Sequence, residues 1–241
     1  LTALRWTIRI HKWLALIVGL QIILWIIGGF GMSLMKIEEV RGEHLSVPAE
    51  RLDIDAAALV SPQQAVAASG VAEVHGVEIT HWMGRVVYRI EPMAGGIVMV
   101  DATSGEMLSP IDEATARAVA LADHIGDPEI TSIELLLDPP QEASRPGPLW
   151  RVELDDGEGT RLYIAPATGE VLSRRNDRWR LFDFLWMLHI MDYEEREDFN
   201  HPLLQIASGI ALATVLAGFF LLILRLRRLW HGMTGKPPAA N

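Results

Sequence analysis

The chain contains no cysteine, which excludes disulfides, thiol catalysis and thiolate-held iron–sulfur clusters from anything it does by itself. Other absences narrow the field further. No His-Glu-x-x-His, no glycine-rich phosphate loop and no nucleophile beside a base and an orienting acid occurs in the 241 residues, so hydrolase and nucleotide-dependent chemistry have no support. Acids are missing from both ends, with none before Glu38 and none after Asp198. Charge of either sign is missing from two runs, Trp13 to Met35 and Pro202 to Leu224, each 23 residues long. At about 1.5 Å per residue each run can cross a hydrocarbon core of roughly 30 Å, and we read both as transmembrane helices.

The bases orient them. Arg5, Arg9 and Lys12 precede the first run, while Arg225, Arg227, Arg228 and Lys236 follow the second; by the positive-inside rule both ends lie in the cytoplasm. The connecting segment holds all 31 acids and 14 of the 21 bases, a net charge of −17. It is expected outside, as the periplasmic domain of a bacterial inner-membrane protein, and its charge argues against a nucleic-acid partner. Bases ahead of an apolar run also describe a secretory leader, but the length of this run and the lack of an Ala-x-Ala-like site after it predict an uncleaved anchor.

Within the connecting segment, residues 36–56 are polar and acidic, a tether. Ser61-Pro62-Gln63-Gln64 carries an N-cap, a proline at the first helical position and a capping-box glutamine, so a short helix begins there. Strand-like stretches follow at Val71 to Thr80, Arg85 to Ile90 and Gly96 to Asp101. The order then repeats: a helix over Asp112 to Asp123, strands at Ile130 to Leu137, Leu149 to Leu154 and Thr160 to Ala165. The two passages close on related phrases, Thr103-Ser104-Gly105-Glu106-Met107-Leu108 and Ala167-Thr168-Gly169-Glu170-Val171-Leu172. Repetition on this scale predicts two α+β units, 57–110 and 111–176, each a short helix on a small antiparallel sheet.

The helix–strand–strand–strand order, the Val87-Tyr88-Arg89 and Trp150-Arg151-Val152 strands and the Ser/Thr-Gly-Glu-x-Leu endings resemble the PepSY domain. His11-Lys12-Trp13-Leu14 entering the first run and Leu188-His189 before the second resemble PepSY-associated transmembrane proteins. The resemblance implies a membrane α+β protein: cytoplasmic ends at 1–12 and 225–241, spans at 13–35 and 201–224, tandem PepSY-like units between them, and a short interfacial helix with an acidic loop over 177–200.

Larger relatives of this type are membrane reductases of iron-siderophore complexes whose helices hold haem through histidines and number about four, where this sequence shows two. That resemblance makes His11, His189 and His201 candidate ligands of haem b. His11 lies at the inner end of the first span, whereas His189 and His201 lie near the outer end of the second. One iron draws its ligand nitrogens to about 2 Å, so His11 cannot share an iron with either across roughly 30 Å of hydrocarbon. Three arrangements stay open: His189 with His201, His231 with His11, or a histidine matched by another subunit. Set against all three is the reading in which these imidazoles pack and hydrogen-bond at the headgroups.

Phe182, Trp186 and His189 recur at helical spacing on one face of Leu181 to Met191, a segment too short to span. Arg174, Arg175, Arg178 and Arg180 precede it and would meet lipid phosphates or a neighbouring protein. Asp192 to Asp198 reads as a solvated acidic turn, since it lacks the glycine and alternation of a calcium loop. Asp101 to Gly105 resembles a flavin-attachment phrase without its continuation. Gly209, Ala213 and Ala217 fall at four-residue steps, as do Ala15 and Gly19; small residues so spaced admit a second helix in lipid. With Phe182 and Trp186, the Gly209, Ala213 and Ala217 trio of the second span forms the expected partner-contact surface. The sequence therefore predicts an accessory or scaffolding subunit of an inner-membrane complex in electron transfer or metal handling, without catalysis of its own. Its partners would be other membrane subunits, the lipid bilayer and, in one form, a second copy of itself. The alternative is a haem-binding reductase of ferric-siderophore type, and a weaker one is restraint of an extracytoplasmic protease.

Overall fold

In the computed structural model, which describes residues 2–48, 54–194, 196, 198 and 200–234, the chain runs α1 (Thr2–Ser33), α2 (Ile37–Val40), α3 (Pro62–Ser69), β1 (Val74–Trp82), β2 (Arg85–Pro92), β3 (Val98–Asp101), α4 (Glu113–Asp123), β4 (Glu129–Leu136), β5 (Leu149–Asp155), β6 (Arg161–Ile164), β7 (Val171–Arg175), α5 (Asp177–Ile190) and α6 (Pro202–Thr234). It divides into two units. Lys36–Leu181 forms one, and the residues up to Met35 together with those from Phe182 onward form the other.

The Lys36–Leu181 unit contains two sheets, ordered β1-β2-β3 and β4-β5-β6-β7, antiparallel throughout. Local chemistry sets the helix ends. The Gln64 N–H donates to Ser61 Oγ at 3.3 Å and the Ser61 N–H donates to the Gln64 side chain at 2.8 Å, satisfying two donors that a helix start leaves open. Gly70, at φ 70°, ends α3 in the left-handed conformation that glycine adopts without penalty. The Asp112 carboxylate accepts from the Thr115 N–H at 2.8 Å and starts α4.

Packing is shared between the sheets. Val87 and Met99 from the first sheet, Ala116, Val119 and Ala120 from α4, and Val152, Leu154, Leu162 and Ile164 from the second form one buried cluster. The alanines of α4 let the helix approach both sheets closely. The other face of the first sheet, with Tyr88, Ile90 and Val100, is closed by Ala65 of α3. Each large side chain buried here contributes about 1.5–3 kcal/mol.

The repeated closing phrases fold alike. In the first, the Asp101 N–H donates to the Glu106 carbonyl at 2.8 Å and the Gly105 N–H to the Asp101 carbonyl at 2.9 Å; in the second, the Ala165 N–H donates to the Glu170 carbonyl at 2.9 Å and the Gly169 N–H to the Ala165 carbonyl at 2.8 Å. Gly105 and Gly169 both take positive φ, 75° and 61°. The second turn also holds the first sheet: Trp82 Nε1 donates to the Gly169 carbonyl at 3.2 Å, and Arg89 pairs with Glu170 at 3.0 Å.

The other unit contains the two apolar helices long enough to cross a bilayer, over Lys12–Ser33 and Pro202–Trp230. α1 and α6 touch. Along α1 the less exposed residues Ala15, Val18, Ile22 and Trp25 alternate at three and four, and along α6 so do Leu204, Ala207, Ala211 and Thr214. This is the spacing of a packed helix seam.

Candidate functional site

The segment 174–201 contains most of the chemistry that the sequence singles out. Arg174, Arg175, Arg178 and Arg180, all in the Lys36–Leu181 unit, are engaged with protein groups. Arg174 Nε donates to Asp123 at 2.7 Å, Arg175 stacks on Trp179 at 4.3 Å and donates to the Glu142 carbonyl at 2.6 Å. Arg178 pairs with Glu39, and Arg180 with Asp177 at 2.8 Å and the Gly159 carbonyl at 3.0 Å. Asn176 is buried and caps the first turn of α5, its Oδ1 accepting from the Trp179 N–H at 2.8 Å while its Nδ2 donates to the Glu39 carbonyl at 2.9 Å.

From Phe182 onward α5 lies against α1, and the glycines of α1 make room for it. A Cβ added at Gly28 would sit 3.5 Å from the Leu185 carbonyl oxygen, one at Gly31 would sit 3.0 Å from Leu185 Cδ1, and one at Gly29 would sit 3.5 Å from His189 Cε1. His189 is half-buried there and its Nδ1 is buried without a partner; His201 likewise keeps a buried, unpartnered Nδ1, and so does Trp25 its Nε1. The His11 and His231 side chains lie outside the described residues. Among the described residues no three His, Asp or Glu side chains converge to hold a metal ion.

Among the described residues of the acidic run, Asp192 is the hub. That carboxylate is buried and accepts the Glu194 and Asp198 N–H groups, each at 3.2 Å. Arg196 pairs with Asp183 and its carbonyl accepts from Trp186 Nε1 at 3.1 Å. Phe182 and Trp186 stack with ring centroids 6.5 Å apart and planes 14° from parallel. Both rings are half-buried, and Trp186 braces the loop. On α6, Gly209, Ala213 and Ala217 point away from the packed seam and are exposed, with nothing within 4 Å of a Cβ built at Gly209.

One polar cluster is invisible to local sequence reading. In the Lys36–Leu181 unit, the β5–β6 turn places Asp156 against buried His124, Oδ2 to Nε2 3.2 Å, and Glu158 against His44 at the same distance. Burial acts to raise the Asp156 carboxyl, but the adjoining Thr160 side chain, the Glu158 and Thr160 N–H groups that donate to it and His124 outweigh burial and hold it below the usual carboxylate range. The partners are 32 and 114 residues apart in sequence; only the Asp156-Gly157-Glu158-Gly159 turn hints at them. The same unit has an open cavity of about 710 Å3 lined by His81, Trp82, Val119 and Arg174 among others.

No curated protein and no solved structure matches this chain. Over residues 8–240, nearly its whole length, the sequence matches the family described as the PepSY-associated TM region, and with the two apolar helices and antiparallel sheets in place the chain belongs to that family of membrane proteins.

Proposed function

We propose that the chain is an accessory subunit of an inner-membrane complex in electron transfer or metal handling, with both termini cytoplasmic and the Lys36–Leu181 unit in the periplasm as a tandem PepSY-like module. The observation that carries this reading is the small-residue face of α6. Gly209, Ala213 and Ala217 are turned away from the seam with α1, and in lipid, where close backbone approach drives association, such a face suits another transmembrane helix. The arginines and carboxylates of the Lys36–Leu181 unit are largely engaged with one another, which suits a rigid docking module better than a reaction centre. Gentle purification from the native membrane, with the mass of the particle measured, tests this. Heterologous subunits should accompany the chain and be lost on Ala213→Leu; a particle containing only this chain would overturn the reading.

A second reading, a haem-bearing reductase, is favoured by the unpartnered Nδ1 atoms of His189 and His201. These are the side chains that would hold the haem, which when bound would supply one-electron transfer to a ferric substrate. Gly29 keeps the His189 ring close to α1, and Asp192, between the two histidines, accepts the Glu194 and Asp198 N–H groups. The absorption spectrum separates the readings: a Soret band that shifts with dithionite and is lost in His189→Ala supports the second, and a featureless visible spectrum excludes it.

A further inference from the structure

The apolar run of α1 contains one amide, Gln21, and its place in the helix is telling. The span covers Lys12–Ser33, so Gln21 sits within about 2 Å of its midpoint at 1.5 Å per residue. At that depth no water or headgroup reaches it. Gln21 is half-buried, and its side chain makes no hydrogen bond among the described residues. An amide left unpaired in hydrocarbon is strongly disfavoured, so the membrane-embedded state requires a partner for it.

We infer that this partner is Gln21 of a second copy of the chain, the two α1 helices meeting about a two-fold axis along the membrane normal. Copies inserted the same way present Gln21 at the same depth. A primary amide carries a donor and an acceptor side by side, so two of them satisfy each other across such an axis. Leu14, seven residues earlier, lies on the same face and is exposed at 44%, leaving a route for the second helix. Above Gln21 that face is closed by α5 over Gly28 and Gly31, which restricts the contact to the inner and middle levels of the span. This surface is distinct from the α6 face that carries the proposed docking of other subunits, so either can fail without the other.

The absence of cysteine makes the test direct, because each introduced thiol is the only one in the chain. Purified full-length Leu14→Cys and Ile23→Cys variants are placed in liposomes at high lipid dilution and oxidised. Ile23 is exposed at 53% and lies about 200° around the helix from Gln21. Disulfide-linked dimer is expected from Leu14→Cys and not from Ile23→Cys. In the Leu14→Cys background, Gln21→Leu should weaken dimerisation by about three- to thirtyfold, the range for polar contacts between membrane helices, while Gln21→Asn retains most of it. Equal yields from positions 14 and 23, or a yield indifferent to Leu at position 21 with helical circular dichroism unchanged, would overturn the inference.

Discussion

Gly169 is the position where a single methyl group should do most harm. Its φ of +61° is in the left-handed region, and an added Cβ would meet Trp82 Cζ2 and Nε1 at 2.6 Å and Cε2 at 2.7 Å. Gly169→Ala therefore carries two separable costs. The backbone cost for a non-glycine residue in this conformation is about 1–2 kcal/mol. The steric cost is that the Trp82 ring must move, losing its hydrogen bond to the Gly169 carbonyl, about 1 kcal/mol, and part of its packing against the shared core, about 1–2 kcal/mol more. The sum is about 3–5 kcal/mol. Gly84 provides the control: at φ +72° nothing lies within 4 Å of its added Cβ, so Gly84→Ala should show the backbone cost alone, about 1–2 kcal/mol. Urea unfolding of the full chain in detergent, followed by near-ultraviolet circular dichroism, measures both at constant slope. In a Trp82→Ala background the Gly169→Ala cost should fall to that of Gly84→Ala, a coupling that the double-mutant cycle reads directly. If the two glycine variants agree within about 0.5 kcal/mol in the parent chain, smaller than any of the costs above, the Trp82 contact is not a lock between the sheets.

Two further outcomes follow from the geometry. Asp101, Glu142 and Asp156 all sit below the usual carboxylate range: burial acts to raise each, and polar neighbours outweigh it, the Ser104 and Thr103 N–H groups for Asp101, the Tyr163 hydroxyl and Arg161 for Glu142, and the adjoining Thr160 side chain with the Glu158 and Thr160 N–H groups for Asp156. Depressed carboxyls stabilise the fold above their ordinary values near 4 and lose that contribution as pH falls through the lower folded values. The unfolding midpoint should thus change little for these groups from pH 7 to 5 and drop below about pH 4; Asp156→Asn should cost about 1–3 kcal/mol at pH 7 and flatten the acid limb, and an acid limb unaltered in that variant would count against the assignment. In the other unit, Gly28→Leu places a branched side chain against the Leu185 carbonyl; overpacking of about 1–3 kcal/mol should raise tryptic cleavage at Arg196 by roughly tenfold, and cleavage at the parent rate would show that α5 does not depend on the glycines of α1.

What the sequence makes legible is what is encoded within a few residues. The Ser61–Gln64 capping box, the glycine of each closing phrase and the uncharged lengths of the spans each need only local chemistry, and each is found in the structure. What it hides is which surface covers which. The periodicity of Glu113 to Asp123 predicts an apolar face for α4, yet nothing local says that this face serves both sheets. Arg174 to Arg180 reads as a basic patch until Asp123, Glu39 and Glu142, dozens of residues earlier, are seen to pair with it. The same limit applies to Trp82 and Gly169, 87 residues apart, and to the glycines at 28, 29 and 31, whose neighbour is α5 rather than the second span.

Among the described residues, unpaired polar groups are distributed unevenly between the two units. In the Lys36–Leu181 unit, a buried nitrogen without a partner usually belongs to a side chain bonded elsewhere: His44 and His124 to carboxylates through Nε2, Arg151 to Glu134, Arg180 to Asp177. His81, on the wall of the open cavity, and the buried Thr160 hydroxyl are the exceptions among the described residues there. In the membrane-helix unit Arg196 follows the same rule through its pair with Asp183, but Trp25, His189 and His201 have a buried unpartnered nitrogen and no hydrogen bond from any other ring atom among the described residues, and the half-buried Gln21 side chain makes no hydrogen bond there either. A lone polar group costs more beside hydrocarbon than beside water. Among the described residues, the unit least able to tolerate such groups therefore contains most of the side chains that make no hydrogen bond at all. On this argument, substitutions at His189 or Gln21 should change assembly or ligand binding at little cost to the fold, whereas substitutions at Gly169 or Asp156 should act on stability first.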